Sequence, residues 1–309
     1  RLSSMSMFVQ ARRLSNMAAP KIGWVGLGQM GQSHVMHLLA DGFSVTVWNR
    51  DKTKCEPVAR AGAAVADTPS DVVKSSEVTF VMLSNAAAAL DVYQQPTGVL
   101  AGLEVGKGVV DCASLDAETM RQLDALVQGK GGKFCAAPVA GHSGMARDAT
   151  CQFICAGNEE LYITVDRALS CMSKHRVFVG ADVGAASNHK VVLNGLLAKI
   201  TASMGEALAQ AEAADLEQAT FMEIVEGHAM NSPLLQLCAR MMISGEHTPL
   251  FMLQHMEKDA RLADELARST GQPSPVTAAT LGAYAAAKQD GRWNELNWTA
   301  IHDATKAAR

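Results

Sequence analysis

The chain has 309 residues, 48% of them apolar and 19% charged, with a formal net charge of -4 and a pI near 6.1, the profile of one large or two ordinary domains with a full core. That charge balance, with no lysine-arginine run or aromatic-interleaved basic patch, gives no field for nucleic acid, so no nucleic-acid partner is expected. No uninterrupted apolar run reaches the length of a bilayer span, so no membrane segment is expected either.

Residues 1–20 differ from the rest: Arg1, Arg12, Arg13 and several serines occur with no acid until Asp41, the composition of an organelle transit peptide. Met17 or an earlier Met is an alternative start, which leaves the compartment open between cytoplasm and an organelle such as a mitochondrion or plastid. From Lys21 to Arg50 the pattern becomes specific. A short strand (Ile22, Gly23, Trp24, Val25) runs into Gly26-Leu27-Gly28-Gln29-Met30-Gly31 and a helical stripe of Met30, Val35, Leu38 and Leu39; Asp41-Gly42 ends the helix, and Ser44 to Trp48 gives a second strand. Strand, turn, helix and strand in that order read as a dinucleotide-binding βαβ unit. Gly26 permits the turn, Gly28 lets backbone approach a pyrophosphate, and Gly31 lets helix and strand pack closely. Glycine-rich turns also occur as plain loops; the context argues against that here.

At the end of the second strand, where NAD enzymes place an acid for the ribose hydroxyl, this chain has Asn49 and Arg50. Without a carboxylate to repel it, a 2′-phosphate is gripped by a guanidinium through two parallel bonds, so the pair points to NADP(H). Lys54 would add a second positive charge, and a solvated arginine beside Asp51 is the plainer alternative.

Residues 51–62 read as helical, Val78 to Leu83 as a strand buried on both faces, Gly108 to Asp111 as another strand, and Asp116 as the cap of a helix ending near Gly129. Further strands are expected at Lys133 to Ala136, Cys151 to Ala156 and Arg176 to Val179, giving a Rossmann-type, doubly wound, mostly parallel α/β sheet over residues 21–183. At Gly184 the character changes. Val192, Leu196, Ile200, Met204 and Leu208 recur every fourth residue among alanines, which predicts one long helix over 188–214, followed by helices near 219–226, 233–243, 249–268 and 276–288. Residues 184–309 are thus an all-helical domain, and two domains of different class suggest a ligand cleft between them.

The seven cysteines are odd in number and scattered, without a Cys-x-x-Cys pair, which fits a reducing compartment. Cys151 with Cys155, and His34 with His37, lack further ligands at zinc-like spacing, so no metal is expected. Lys190 and Asn194 share a helix face near the start of the long helix. A lone lysine is usually solvated; at the junction of a nucleotide domain and a helical domain, its ammonium can stabilise an alkoxide and give it a proton.

Several motifs in order carry a resemblance to the β-hydroxyacid dehydrogenases, in particular the glyoxylate/succinic semialdehyde reductases. These are Gly26 to Gly31, Asn49-Arg50, Asp111-Cys112-Ala113-Ser114, Ala137-Pro138-Val139-Ala140-Gly141, Gly184 through Lys190 to Asn194, and Lys258-Asp259. The resemblance covers nearly everything after Lys21. It implies Lys190 as the catalytic lysine, with Asn194 orienting it or the substrate. It implies that Ser114 touches substrate and nicotinamide, that Leu83 and Ser84 lie beside the nicotinamide ring, and that Lys258 reaches the cofactor. Ala140, Gly141 and His142 match the loop that receives the substrate carboxylate, and Phe251 and Asp259 match positions at the cleft wall.

The family loop usually reads Pro-Val-Ser-Gly followed by Gly or Ser, whereas here Ala140 and His142 occupy the serine and final positions. The missing hydroxyl costs about 1.5 to 3 kcal/mol of carboxylate binding unless His142 replaces it. Ala186 likewise stands where the lysine motif usually has its second glycine. The expected activity is NADPH-dependent reduction of a small aldehyde or keto acid. Alternatives are a 3-hydroxyisobutyrate-type dehydrogenase, disfavoured by Asn49-Arg50 if NAD-dependent; an imine reductase, disfavoured by Lys190; and a non-catalytic NADP(H)-binding interaction module. The alanine-rich long helix and the Met- and Leu-rich helical domain suggest a homo-oligomer, most simply a dimer.

Overall fold

The computed structural model describes residues 19–308, so all but the last two residues of the transit-like segment 1–20 lie outside the described residues. The chain divides into two compact units, Arg1–Ser187 and Asn188–Arg309.

In the first unit the strands are β1 Ile22–Val25, β2 Val45–Trp48, β3 Ala64–Val65, β4 Val78–Val81, β5 Gly108–Asp111, β6 Lys133–Ala136, β7 Val139–Ala140, β8 Cys151–Gly157 and β9 Ser173–Phe178. Among the described residues they form one nine-stranded sheet in the order β3-β2-β1-β4-β5-β6-β8-β7, with β9 added alongside β8. From β3 to β6 every pairing is parallel; β8 then runs antiparallel to β6 and β7, and β9 parallel to β8. Alternate residues feed opposite faces, as the pleat requires. Ile22, Trp24, Val78, Phe80 and Val110 pack in one apolar cluster, and Val25, Val81, Val109, Phe134 and Ala136 in another. This two-sided burial explains the near-continuous apolar runs of the central strands.

Several elements carry weaker sequence signals and were not expected. Helix Ala86–Gln94 starts at Asn85, whose side chain accepts from Ala88 N–H, and Pro69–Ser75 starts at Thr68, which accepts from Asp71 N–H. Helices Ser143–Arg147, Glu159–Thr164 and Asp166–Met172 have five to seven residues each, too short to show a period. Ser143–Arg147 ends with Thr150 N–H on Met145 O and Ala149 N–H on Ala146 O, which places Ala149 at φ +51. An alanine there gives up about 1 to 2 kcal/mol relative to a right-handed conformation.

The long helix spans Val183–Ala213, beginning five residues before its expected start at 188. By length and composition alone it is apolar enough to cross a bilayer, although Lys190, Asn194, Lys199 and Glu206 leave no uninterrupted apolar run of that length. Its Ala198, Ala202, Met204 and Leu208 pack into the second unit's core with Cys238, Met242, Tyr284 and Trp298. The every-fourth-residue row does not form one buried stripe. Four residues turn a helix by about 400°, so the row drifts about 40° per step; Val192 and Leu196 are exposed at its start, whereas Met204 and Leu208 are buried at its end. Helices Gln218–Glu226, Pro233–Ser244, Leu253–Ser269 and Pro275–Asp290 follow, and a closing helix, Ile301–Ala307, was not expected.

All seven cysteines are free thiols, six of them buried. Burial pushes the Cys112 thiol well above its ordinary range and the partly buried Cys171 to about 11.

His34 is fully buried on the helix that follows β1, its ring tilted against Trp24 at 5.8 Å and Phe153 at 5.6 Å. Neither ring nitrogen has a hydrogen-bond partner among the described residues, and burial, with a smaller push from His37, lowers its pKa to about 3. The folded state therefore resists a proton that the unfolded chain accepts near pH 6.5, so stability from this group is present above that pH and is lost as pH falls toward 3. His34→Leu should remove this loss, which amounts to several kcal/mol at the acid end. It should also add about 1 kcal/mol at pH 7 by replacing an unpartnered polar ring. Urea unfolding of both proteins at pH 7 and pH 4.5 reads the difference, and an equal acid loss in both would count against it.

Candidate active site

The parallel strands end level, because Val25 pairs with Trp48 and Val81, Val81 with Asp111, and Asp111 with Ala136. Every candidate residue of the first unit follows one of these ends or the short β7 beyond β6. The strand order reverses between β1 and β4, and the crevice outside such a reversal is where open α/β sheets bind ligands.

The glycine turn follows β1. Gly26 has φ +103, and a Cβ there would strike Met82 O; a Cβ on Gly31 would strike Gly26 O. A Cβ on Gly28 meets nothing within 4 Å, so at this residue the backbone faces open space. Gly28 heads helix Gln29–Ala40, which has no side-chain cap and no acid in its first turn. Unsatisfied N–H groups with an open approach and no competing carboxylate fit a pyrophosphate. Leu27, Gln29 and Met30 complete the turn.

Asn49 has a role that its position did not disclose. Its Oδ1 accepts from Leu27 N–H at 2.8 Å and its Nδ2 donates to Asp51 O at 2.9 Å, so it ties the end of β2 to the glycine turn. Asp51 is occupied by Thr53 through both N–H and hydroxyl, which holds its carboxyl below the usual range. Arg50 is exposed, and among the described residues it makes no ion pair with Asp51. Leu83 and Ser84 follow β4, half-buried and exposed respectively.

Ser114 follows β5 on a segment anchored by Asp111. That carboxylate is fully buried, accepting from Ala113 N–H at 2.9 Å and from the Tyr93 hydroxyl at 2.8 Å. Burial raises its pKa to about 6 despite both bonds.

Beyond β6, Ala140 closes β7 opposite Gln152. Gly141 has φ +150, and a Cβ on it would meet Cys151 Sγ, so no other residue fits easily. His142 heads the short helix, its Nδ1 accepting from Met145 N–H at 3.4 Å. Nδ1 is therefore unprotonated, and burial draws the ring's pKa below its ordinary value.

Within the second unit, Lys190, Asn194 and Asp259 are all buried and joined in one chain. Lys190 Nζ donates to Asn194 Oδ1 at 2.8 Å, Asn194 Nδ2 donates to Asp259 Oδ2, and Asp259 Oδ1 pairs with Lys258 Nζ at 3.1 Å. A carboxylate only accepts, so the Asn194 amide must turn its nitrogen to Asp259 and its oxygen to Lys190. Lys258 reaches its neighbour Asp259 although adjacent helical positions diverge. Phe251 is set against His255 at 5.9 Å and Trp298 at 6.2 Å. Asn297, absent from the sequence reading, fixes it by accepting from both Leu250 and Phe251 N–H. Only its place in a Glu-Leu-Asn-Trp stretch marked it.

Residues 21–180 match the family described as the NAD binding domain of 6-phosphogluconate dehydrogenase, and residues 184–301 that described as NAD-binding of NADP-dependent 3-hydroxyisobutyrate dehydrogenase. The chain is 33% identical over 289 residues to glyoxylate/succinic semialdehyde reductase 1 of Arabidopsis thaliana, covering 94% of this chain and 99% of that one. It is 34% identical over 268 residues to the cytokine-like nuclear factor N-PAC of Homo sapiens, covering 87% of this chain and 48% of that protein. Among solved structures, Mycobacterium tuberculosis 3-hydroxyisobutyrate dehydrogenase with L-serine shares the fold, with a TM-score of 0.83, 24% identity, and coverage of 94% of this chain and 100% of that one.

The buried Asp111 generates a prediction of opposite sign to that for His34. Its folded pKa, about 6, lies above its ordinary 3.8, so the folded state holds the proton more tightly and stability falls as pH rises between about 4 and 6. Asp111→Asn keeps an acceptor for Ala113 N–H and removes the charge. The variant should gain on the parent by about 2 to 3 kcal/mol as pH goes from 4 to 7. A stability difference flat across that range in urea titrations would show that Asp111 is not the titrating group.

Proposed function

The chain belongs to the NAD(P)-dependent β-hydroxyacid dehydrogenases, and on that premise we propose that it uses NADPH to reduce a small aldehyde or keto acid, of the glyoxylate or succinic semialdehyde kind, to the hydroxy acid. The observation that carries this reading is the buried chain from Lys190 through Asn194 to Asp259. A buried ammonium is costly unless its partners are fixed, and here a carboxylate fixes an amide that fixes the lysine.

When bound, the reduced nicotinamide supplies the hydride. The protein's part is to hold and to protonate. Gly28 and the helix after it receive the pyrophosphate, Arg50 grips the 2′-phosphate, and Leu83, Ser84 and Lys258 contact the remainder of the dinucleotide. Ser114 and the Ala140–Gly141–His142 turn hold the substrate, with Phe251 and Asp259 bounding it. Lys190 Nζ stabilises the oxygen as negative charge develops and gives it a proton. Asn194 keeps that ammonium aimed, and Asp259 keeps Asn194 from flipping.

Two measurements test the reading. Lys190→Met should lower kcat by about two to four decades, the range for a positioned acid, with NADPH affinity little changed. An unaltered rate would assign the proton elsewhere. Arg50→Ala should erase at least a roughly tenfold preference for NADPH over NADH, the worth of a bidentate charged contact; equal dissociation constants in the parent protein would remove Arg50 from the site. If the parent binds NADPH but turns over no carbonyl compound, the reading gives way to a non-catalytic cofactor-binding module.

A further inference from the structure

The helix Ser143–Arg147, directly after the Ala140–Gly141–His142 turn, is too short to persist alone. Its end is also strained, since Ala149 occupies the left-handed position that glycine normally fills in this type of helix stop. Two histidines hold it, one at each end. His142 caps the start through Nδ1. At the other end His37 Nε2 lies 3.0 Å from the carbonyl oxygens of both Ala146 and Arg147. Carbonyl oxygens only accept, so Nε2 carries a proton and donates to both last-turn groups, adding to the Ala149 N–H that Ala146 O already accepts in the helix stop.

We propose that His37 is a positioning residue for the substrate: by gripping the C-terminal end of this helix it holds the turn bearing Ala140, Gly141 and His142 in place against the strain at Ala149. His37 stands on the helix that begins beside Gly28, about two turns from the phosphate end. The grip therefore sets the turn relative to the helix that carries the cofactor, inside one unit. Strained backbone persists only where its surroundings over-determine it, and such places gather at ligand clamps. The inference deepens the proposed function and rests on its assignment of the turn to the substrate carboxylate.

The test uses the full chain with NADPH and either glyoxylate or succinic semialdehyde. His37→Ala should raise KM for the carboxylate substrate roughly five- to fiftyfold, the loss of one or two hydrogen bonds, with kcat and the NADPH dissociation constant each shifting less than about twofold. Ala149→Gly, which relieves the strain, should recover most of that KM in the His37→Ala background, and His37→Gln, which keeps an N–H donor, should lose little. An unchanged KM, a parallel loss of NADPH affinity, or no recovery with Ala149→Gly would each overturn the assignment. Amide exchange in the protein without substrate reads the grip separately: the Ala149 and Thr150 N–H groups should exchange at least about tenfold faster in His37→Ala. Unaltered exchange overturns the inference. Faster exchange with unchanged KM overturns the positioning role, and if Ala140→Ser then fails to favour carboxylate over uncharged aldehydes, the error lies in the loop's assignment.

Discussion

The constraint on which the first unit depends is the shared register of its parallel strands. Because Val25, Trp48, Val81, Asp111 and Ala136 lie in one row, the segments after them leave the sheet at one level. A slip of one residue in any strand would exchange its two faces and put core residues into the wrong layer, so the apolar pattern that builds the core also aligns the site. The row then needs securing beyond the sheet. Asn49 fastens the end of β2 to the glycine turn, and Asp111 with Tyr93 fastens the segment leading to Ser114.

In the second unit the corresponding constraint is electrostatic. Lys190 and Asp259 are opposite charges buried on different helices, separated by a neutral amide that each of them orients. Losing Asp259 would leave the Asn194 amide without the acceptor that turns its oxygen to Lys190, so the placing of this lysine depends on the packing of Val183–Ala213 against Leu253–Ser269. Around it, Asn297 and the Trp298 indole, which donates to the Thr201 hydroxyl at 3.1 Å, hold the loop of Phe251.

What the sequence discloses here follows from the range of the interaction. The glycine turn, the buried central strands and the long helix declare themselves through local spacing. The Ala140–His142 turn and the Lys190–Asn194 pair are visible through family resemblance and helical periodicity. Asn49, by contrast, looks like part of a phosphate-binding pair, yet its amide serves a backbone group 22 residues away. Asp259 meets Asn194 across 65 positions, and His37 meets the carbonyls after the Ala140–His142 turn across more than a hundred. No local pattern encodes such pairings. The every-fourth-residue row in the long helix misleads for a geometric reason: its regularity is real, but 4 is not 3.6, so its two ends face different surroundings.

The cysteines carry a further consequence. Carbonyl compounds add to thiolates, so the state of the thiols decides how the chain would withstand substrates of the proposed class. Six of the seven thiols are buried, and the half-buried Cys171, with its pKa near 11, keeps only about one molecule in ten thousand as thiolate at neutral pH. Packing sulfur into the interior thus keeps most of the thiols out of contact with reactive compounds in the surrounding solution.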